Sequence, residues 1–222
     1  MVSTIAIIGA GPGLGRATAL RFGREGFAVA LISRTQANVD QLATELEEVG
    51  VTARGYAADA RDPHALRAAL DAAAADLGPI EVLQYSPVPA RDFMKPVLET
   101  TAEDLVGPVE QSVYGPVTAV QHVLPGLREL GRGTILFING GSAVTPNGNV
   151  TGTSVAFAAE SAYGQMLHDA LAPEGIHVAQ LIIPRGIGGG EPDHEPGALA
   201  DRIFSLHRDR GVFRTFVGEE DA

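Results

Sequence analysis

Short apolar runs alternate along the chain with longer stretches of helical periodicity. The apolar runs predict strands at residues 4–8, 27–32, 52–57, 80–84, 133–139, 177–183 and 212–217. The stretches between them predict helices at residues 16–25, 37–49, 62–77, 109–130, 153–171 and 198–208. Strands that are apolar throughout are typical of a parallel sheet covered by helices on both faces. The pattern therefore predicts a single α/β domain with a doubly wound parallel sheet of about seven strands.

The segment that follows the fourth predicted strand breaks this regular pattern. Prolines interrupt it at positions 87, 89, 96, 108 and 116. Thr100-x-x-Glu103 has the form of a capping box, which predicts a helix start there. Because proline removes a backbone hydrogen bond, the helix that follows is expected to begin irregularly.

The turn after the first predicted strand is rich in glycine. Its candidate nucleotide contacts are Gly9, Gly11, Pro12, Gly13, Leu14 and Gly15. A strand, a glycine turn and a helix N-terminus together form the phosphate-binding opening of a nucleotide-binding βαβ unit. Pro12 lacks an N–H group, so pyrophosphate binding is expected to be weaker there. The turn predicts a Rossmann-type sheet, although an ordinary strand-to-helix turn is the alternative.

The end of the second predicted strand bears on the choice of dinucleotide. A site for NAD places a carboxylate there for the ribose 2′-hydroxyl, whereas a site for NADP places a cation there for the 2′-phosphate. This chain has Ser33 and Arg34 at that point, with no acid nearby. Guanidinium binds phosphate in a bidentate manner. NADP(H) is therefore predicted over NAD(H), and a solvated arginine at a strand end is the alternative.

Composition narrows the classes of partner. The 222 residues carry a formal net charge of −11 and include no cysteine. The charge argues against nucleic acid and anionic membranes as partners, and the missing cysteines exclude disulfides and thiol chemistry. The chain starts directly with a strand pattern and shows no basic leader or long apolar segment. A cytoplasmic protein with a small-molecule ligand is expected.

The order of elements and the Gly9-x-x-x-Gly13-x-Gly15 spacing resemble the short-chain dehydrogenase/reductase family over essentially the whole chain. Further matches lie at residues 115–116, 121, 124–125, 133–136, 171–178 and 184. The resemblance implies that Asp59, with Ala60 beside it, contacts adenine. It also implies that Tyr85, Ser86 and Pro87, which replace the family's Asn-Ala-Gly, border the ribose through backbone groups. A homodimer or homotetramer that pairs the long helices at 109–130 and 153–171 is expected on the same ground.

The catalytic positions depart from the family pattern. Family members use an asparagine, a serine and a Tyr-x-x-x-Lys pair, in which the tyrosine protonates the carbonyl oxygen and the lysine lowers the tyrosine pKa. Alignment by spacing puts Ser112, Gly140, Thr153 and Phe157 at these four positions. A register shifted by one helical turn puts Phe157 at the tyrosine and Ser161 at the lysine. Lys95, in the loop after the fourth strand, is the only lysine of the chain, so neither register supplies the pair.

Several other residues are candidates for the missing chemistry. Tyr85 is the best substitute acid by position, although packing is the more ordinary role for such an aromatic residue. Ser142 is expected to orient a substrate oxygen or to make a local hydrogen bond. Thr153 is a poor acid and is expected to cap its helix. Glu160 and Tyr163 are expected to face a neighbouring subunit or solvent.

The histidines give a weaker signal. His168 and His177 are interpreted as structural, and His194 lies in a 186–197 loop that could cover a substrate. No cluster of residues in the sequence has the spacing of metal ligands.

Three hypotheses for the function remain open: an NADP(H)-dependent oxidoreductase with an unusual proton donor, a non-catalytic NADP(H) sensor or partner subunit, and an assembly module without nucleotide. The catalytic residues stay unassigned.

Overall fold

A computed structural model describes residues 2–218 of the chain. Seven parallel strands form one sheet in the order β3-β2-β1-β4-β5-β6-β7. The strands are β1 (Thr4–Ile8), β2 (Ala28–Ser33), β3 (Ala53–Ala57), β4 (Ile80–Tyr85), β5 (Gly133–Gly140), β6 (Ile176–Ile183) and β7 (Arg214–Phe216). This confirms the predicted seven-stranded, Rossmann-type α/β sheet.

Helices cover both faces of the sheet. They are α1 (Leu14–Gly23), α2 (Gln36–Glu47), α3 (Pro63–Leu77), α4 (Val106–Val109), α5 (Gly115–Leu130), α6 (Thr151–Leu171) and α7 (Pro196–Asp209). The apolar residues of α1, α2 and α7 pack into one core cluster, and those of α3, α5 and α6 contribute to the cluster on the opposite face. Burial of the strands from both sides explains their uniformly apolar sequences.

The order of the strands determines where a ligand can bind. β1 pairs with β2 on one side and with β4 on the other, so the chain direction across the sheet reverses at β1. In open α/β sheets this reversal leaves a crevice beyond the carboxyl ends of the strands. The glycine turn, which directly follows β1, therefore lies at the crevice.

Three predicted helix starts need correction. α1 begins at Leu14 instead of Arg16, and α6 begins at Thr151 instead of Thr153. The capping box is reciprocal between Thr101 and Asp104 instead of Thr100 and Glu103: the Asp104 N–H donates to Thr101 Oγ1 (3.4 Å), and the Thr101 N–H donates to Asp104 Oδ2 (3.0 Å). The whole box therefore lies one position later than predicted, because Asp104 accepts from the Thr101 N–H group.

The irregular start expected for the helix at 109–130 is confirmed. A π-helical segment at Glu110–Tyr114 separates α4 from α5. Such segments widen the helix by one residue and often occur at functional sites. Among residues 2–218, no helix combines the length and the apolar character that a membrane crossing needs.

Candidate dinucleotide-binding site

Two adjoining cavities run along the carboxyl edge of the sheet. The larger, called the cleft below, has a volume of about 550 Å3, and the smaller, called the β2-end cavity, about 240 Å3. Both are lined by Gly9, Gly11, Pro87 and Val88. The glycine turn and the residues after β4 therefore form the boundary between them, as expected for a ligand that spans the turn.

Gly9 and Gly15 shape the turn through close backbone contacts. Gly9 has a φ of +89°, and a Cβ atom there would lie 2.6 Å from the Cα of Pro87. A Cβ atom at Gly15 would lie 2.9 Å from the Cα of Ala10. Since real Cβ atoms do not approach backbone this closely, both positions require glycine. The predicted roles of the two glycines in the turn and in helix packing are thus supported by the geometry.

Gly11 and Gly13 face open space instead. A Cβ atom at either position would have no heavy atom within 4 Å, and both residues line the cleft. Pro12 and Leu14 line it as well. Gly13 caps α1 without a side-chain hydrogen bond, so the first N–H groups of that helix have no acceptor within the helix. This is the geometry that binds a phosphate, and the dinucleotide implied by the sequence fits it.

The β2-end cavity contains the residues predicted to distinguish NADP from NAD. Its lining includes Ser33, Arg34, Asp59 and Ala60. Arg34 is exposed and makes no ion pair within the described residues, so its guanidinium is available to a ligand. Asp59 is held in place because its Oδ1 accepts a hydrogen bond from the Arg61 N–H (2.9 Å). The cavity thus brings together two pairs of neighbouring residues, 33–34 and 59–60, that lie 26 positions apart in the sequence.

Two polar residues of this cavity were missed by the sequence reasoning. Thr35 and Asn38 also line it, at the start of α2. Thr35 is the N-cap of α2, yet its side chain makes no capping hydrogen bond. The hydroxyl is therefore free to meet a phosphate next to Arg34. A helix starting directly after Ser33-Arg34 was the available signal, because its N-terminus attracts anions.

Tyr85 does not occupy the place expected for it. Its side chain is only 1% exposed, and its hydroxyl donates a hydrogen bond to the backbone oxygen of Gln111. Burial raises the pKa of this phenol well above its usual value. Tyr85 does not line either cavity, so it is neither a substitute acid nor a side chain at the cofactor site, and the alternative role in packing is the one observed. Successive side chains of β4 point to opposite faces of the sheet. The side chain of Tyr85 lies on the face covered by α3 and α5 and is part of the core cluster there.

Ser86 and Pro87 do border the cleft as predicted. The Ser86 N–H donates to the Ile8 oxygen (2.9 Å), and Gln84 Nε2 donates to Ser86 Oγ (3.0 Å). The first bond joins the ends of β1 and β4, and the second links Gln84 of β4 to the residue just after the strand. Both bonds hold Ser86, whose backbone the family resemblance implies lies next to the ribose.

The catalytic positions deduced by spacing converge in the cleft. Gly140, Thr153 and Phe157 line it together with Ser142, and a Cβ atom at Gly140 would lie 3.9 Å from Phe157. Ser161 is buried instead, donating to Gln180 Oε1 (2.9 Å), which argues against the shifted register. Ser112 is buried and is not part of the cleft lining.

Thr153 does not cap its helix. It is the third residue of α6 and is 7% exposed, and its hydroxyl has no hydrogen-bond partner within the described residues. A buried hydroxyl without a partner carries a desolvation cost that a ligand atom in the cleft would relieve. This orphaned hydroxyl is a second local feature that fits a bound polar molecule.

Arg185 is the only ionisable residue among the described residues that line the cleft. Its Nη1 pairs with Glu191 Oε1 (2.7 Å) and Oε2 (2.9 Å). Glu191 itself lines a separate cavity of about 670 Å3 on the far side of Arg185. The sequence reasoning missed Arg185, although its position just after β6 at the ligand-binding edge was a usable signal.

A buried polar network lies behind the cleft. Gln180 Nε2 donates to Asn139 Oδ1 (2.8 Å), and Arg214 Nε donates to Gln180 Oε1 (2.8 Å). Asn139 also lines the cleft and interacts with Glu160. Glu160 is 1% exposed, and this burial raises its pKa well above the usual value. The expectation that Glu160 faces solvent or another subunit is wrong.

Tyr163, the other residue expected on an outer surface, is half-buried. Its ring packs against Phe137 with a centroid separation of 6.4 Å, and burial raises its pKa to about 12. Its ring packs against the core cluster on the α3 and α5 side of the sheet while the side chain stays partly exposed. The expectation of an outer position therefore stays a prediction for its exposed part.

The histidines contribute little to the cleft. His168 Nδ1 lies 2.7 Å from the Val178 oxygen, and burial lowers the pKa of His177 to about 4, so both are structural as predicted. His194 is buried beside the 670 Å3 cavity.

Lys95 pairs with Asp104 (2.6 Å) outside the cleft. No group of three metal-ligating side chains occurs in the part of the chain that the structure describes.

Comparison with known proteins agrees with this geometry. A sequence profile of the short chain dehydrogenase family matches residues 3–187. Serine 3-dehydrogenase from Rhizobium radiobacter is 30% identical over 213 residues, covering 95% of this chain and 77% of that protein. In other curated relatives the match covers as little as 49% of the relative's length.

Solved structures share the fold over nearly the whole chain. A short-chain dehydrogenase from Rhodopseudomonas palustris has a TM-score of 0.86 and 26% identity, covering 98% of this chain and 99% of that one. A metagenomic short-chain oxidoreductase in complex with NADP has a TM-score of 0.85 at 19% identity, covering 97% of each chain, and shows the fold alone. Together with the glycine turn and the order of the strands, these matches establish that the chain belongs to the short-chain dehydrogenase/reductase family.

Proposed function

We propose that the protein is an NADP(H)-binding oxidoreductase that interconverts a carbonyl compound and an alcohol without a tyrosine proton donor. One observation carries the proposal: the glycine turn, the uncapped start of α1 and the free guanidinium of Arg34 all border one continuous pair of cavities. The turn and helix start suit a pyrophosphate, and Arg34 suits a 2′-phosphate at the far end. The match to the family supports the same assignment.

The preference for NADP(H) over NAD(H) rests on the lining of the β2-end cavity. Arg34 is its only cation among the described residues, and it lies beside the hydroxyl-bearing Ser33 and Thr35. Asp59 is the only acidic residue among the described residues that line the cavity, and its Oδ1 already accepts a hydrogen bond from the Arg61 N–H. A phosphate group is thus favoured over a bare hydroxyl at Arg34.

The cleft offers hydroxyls and one cation for the reaction. When bound, the nicotinamide would supply or accept the hydride. Ser142 and Thr153 offer hydroxyl groups to a substrate oxygen, and the charge of Arg185 stabilises negative charge that develops on that oxygen. A guanidinium does not give up its proton near neutral pH, so the proton that the oxygen gains would come from the solvent.

The test is NADPH consumption with a panel of aldehydes and ketones. The proposal predicts turnover with at least one carbonyl class, and a loss of rate in Arg185→Gln that exceeds any loss of NADPH affinity. Binding of NADPH without turnover across the panel would contradict it.

A second candidate function is a non-catalytic NADP(H) sensor or partner subunit. It is favoured by a specific feature of the cleft, whose described lining residues include no group that titrates near neutral pH. The same panel separates the two candidates, because a sensor binds NADPH with no turnover and gains thermal stability from the ligand.

We also propose a homodimer or homotetramer built on the long helices. Val155 and Met166 are 46% and 62% exposed, and both lie on α6 eleven positions apart, which places them on one face. Tyr114, next to α5, is 59% exposed. Met166→Glu is expected to shift sedimentation toward a smaller species if this face pairs.

A further inference from the structure

The wall of the cleft is mostly apolar on the side away from the glycine turn. Its lining there includes Ile138, Phe157, Ile183 and Ile187. Its polar groups are the neutral side chains of Asn139, Ser142 and Thr153, and the cation Arg185. Within the described lining of the cleft, no side chain carries a negative charge.

The nearest acids lie outside this lining. Glu191 pairs with Arg185 from the side of the 670 Å3 cavity, and its carboxylate offsets much of the charge of Arg185. Glu160 lies behind Asn139, and burial raises its pKa well above the usual value. The end of the cleft remote from the phosphate-binding turn is therefore apolar, and its one cation among the described lining residues is paired with a carboxylate outside the lining.

The two redox forms of a nicotinamide dinucleotide differ by one charge, which lies on the ring. The oxidised ring is a pyridinium cation, whereas the reduced ring is neutral. Transfer of a cation from water to an apolar wall carries a desolvation cost, and the nearby Arg185 guanidinium adds a repulsion that its pairing with Glu191 weakens. Neither cost applies to the reduced ring.

We propose that this cleft selects the reduced dinucleotide, NADPH, over the oxidised form, NADP+. The inference rests on the proposed function, because it requires the nicotinamide ring to occupy the cleft. A protein with such a preference responds to the ratio of NADPH to NADP+, because its occupancy by NADPH changes when that ratio changes.

One feature of the wall acts against this preference. The face of Phe157 would attract a pyridinium ring through a cation–π interaction. Arg185 and the apolar residues outweigh it if the proposal is correct. The measured ratio of affinities decides between these opposing effects.

The experiment is isothermal titration of the full chain with NADPH and with NADP+, in the wild type and three variants. The wild type is expected to bind NADPH at least tenfold more tightly than NADP+. Arg185→Gln is expected to reduce that ratio severalfold, because it removes the repelling charge. Ser142→Asp is expected to reduce it further, because it adds an attracting anion to the lining.

Glu191→Gln serves as the matched control. It breaks the same ion pair as Arg185→Gln but leaves the cation in place and less screened, so the ratio is expected to rise or stay constant. A wild-type ratio near one, a preference for NADP+, or equal ratios in the wild type, Arg185→Gln and Ser142→Asp would overturn the proposal. If neither form binds, the proposed function fails as well, which distinguishes that failure from a loss of redox preference alone.

Discussion

The hydroxyl of Tyr85 donates a hydrogen bond to the backbone oxygen of Gln111 in the π-helical segment. Gly115 lies beside this contact, and a Cβ atom there would be 3.3 Å from the Cζ atom of Tyr85. The phenol thus satisfies a backbone carbonyl where the helix leaves its regular hydrogen-bond pattern. The residue that sequence position favoured as a proton donor is a structural element of the helix before β5.

Tyr85→Phe is therefore predicted to lower stability without affecting the ligand. Loss of the hydrogen bond leaves the Gln111 carbonyl without this partner, which costs about 1 kcal/mol of unfolding free energy. Denaturant unfolding measures the loss, and titration with NADPH is expected to give an unchanged affinity. Tyr114→Phe, at an exposed tyrosine, is the control. A large loss of turnover at unchanged stability would instead make Tyr85 a catalytic group.

Arg34→Gln is predicted to remove the preference for the phosphorylated dinucleotides. The variant loses the charge-assisted hydrogen bonds to a 2′-phosphate, so its affinity for NADPH is expected to fall at least tenfold, while its affinity for NADH stays constant. Fluorescence titration of both dinucleotides gives the two ratios. Arg67→Gln, an exposed arginine of α3 outside both cavities, should behave as wild type. Equal losses for NADPH and NADH would place the phosphate elsewhere.

Gly11→Asp is predicted to abolish dinucleotide binding while the protein stays folded. The new carboxylate projects into open space in the cleft, where it repels a pyrophosphate. Gly11→Ala is the matched control, because a methyl group there meets no neighbour and should weaken binding only slightly. Thermal unfolding checks the fold and calorimetry checks the binding. Full binding by the aspartate variant would rule out the turn as the phosphate site.

Glu160→Gln is predicted to stabilise the protein above neutral pH. Burial raises the pKa of Glu160 well above its usual value in the folded state, so the folded state holds this proton to a higher pH than the unfolded state, which releases it above a pH of about 4.3. The raised pKa therefore makes the free energy of unfolding fall as pH rises from about 4.3 toward the folded-state pKa. Glutamine removes this dependence.

The expected difference at pH 8 is on the order of 1 kcal/mol in favour of Glu160→Gln, and the two proteins should converge near pH 4. Urea unfolding at several pH values measures the curves. A wild type that is the more stable protein at pH 8 would show that Glu160 is ionised and paired in the folded state.

The fold could be predicted from sequence because each of its signals is local. The apolar runs, the glycines that end helices and the turn at residues 9–15 fixed the order of the elements. Boundaries shifted where two neighbours compete for one role, as at Thr100 and Thr101. The β2-end cavity could be predicted as well, since Ser33, Arg34 and Asp59 each directly follow or lie close to the end of a strand.

The side chains at the cleft could be predicted only in part. Spacing placed Gly140, Thr153 and Phe157 correctly, since a helix and a strand have fixed periods. The direction of Tyr85 depends on which face of β4 the last residue presents, and the burial of Glu160 depends on how deeply α6 packs. Both are tertiary properties. Arg185 was missed because no motif marks its loop, although its position just after β6 lies at the ligand-binding edge of the sheet.

The most direct test of the account is titration of the wild-type protein with NADPH, NADP+, NADH and NAD+ in turn, reading the shift in melting temperature and the dissociation constant. The account predicts that the phosphorylated pair stabilises the protein and binds at least tenfold more tightly than the other pair. No shift with any of the four would contradict a dinucleotide site in this cleft, and equal shifts with all four would contradict the role of Arg34.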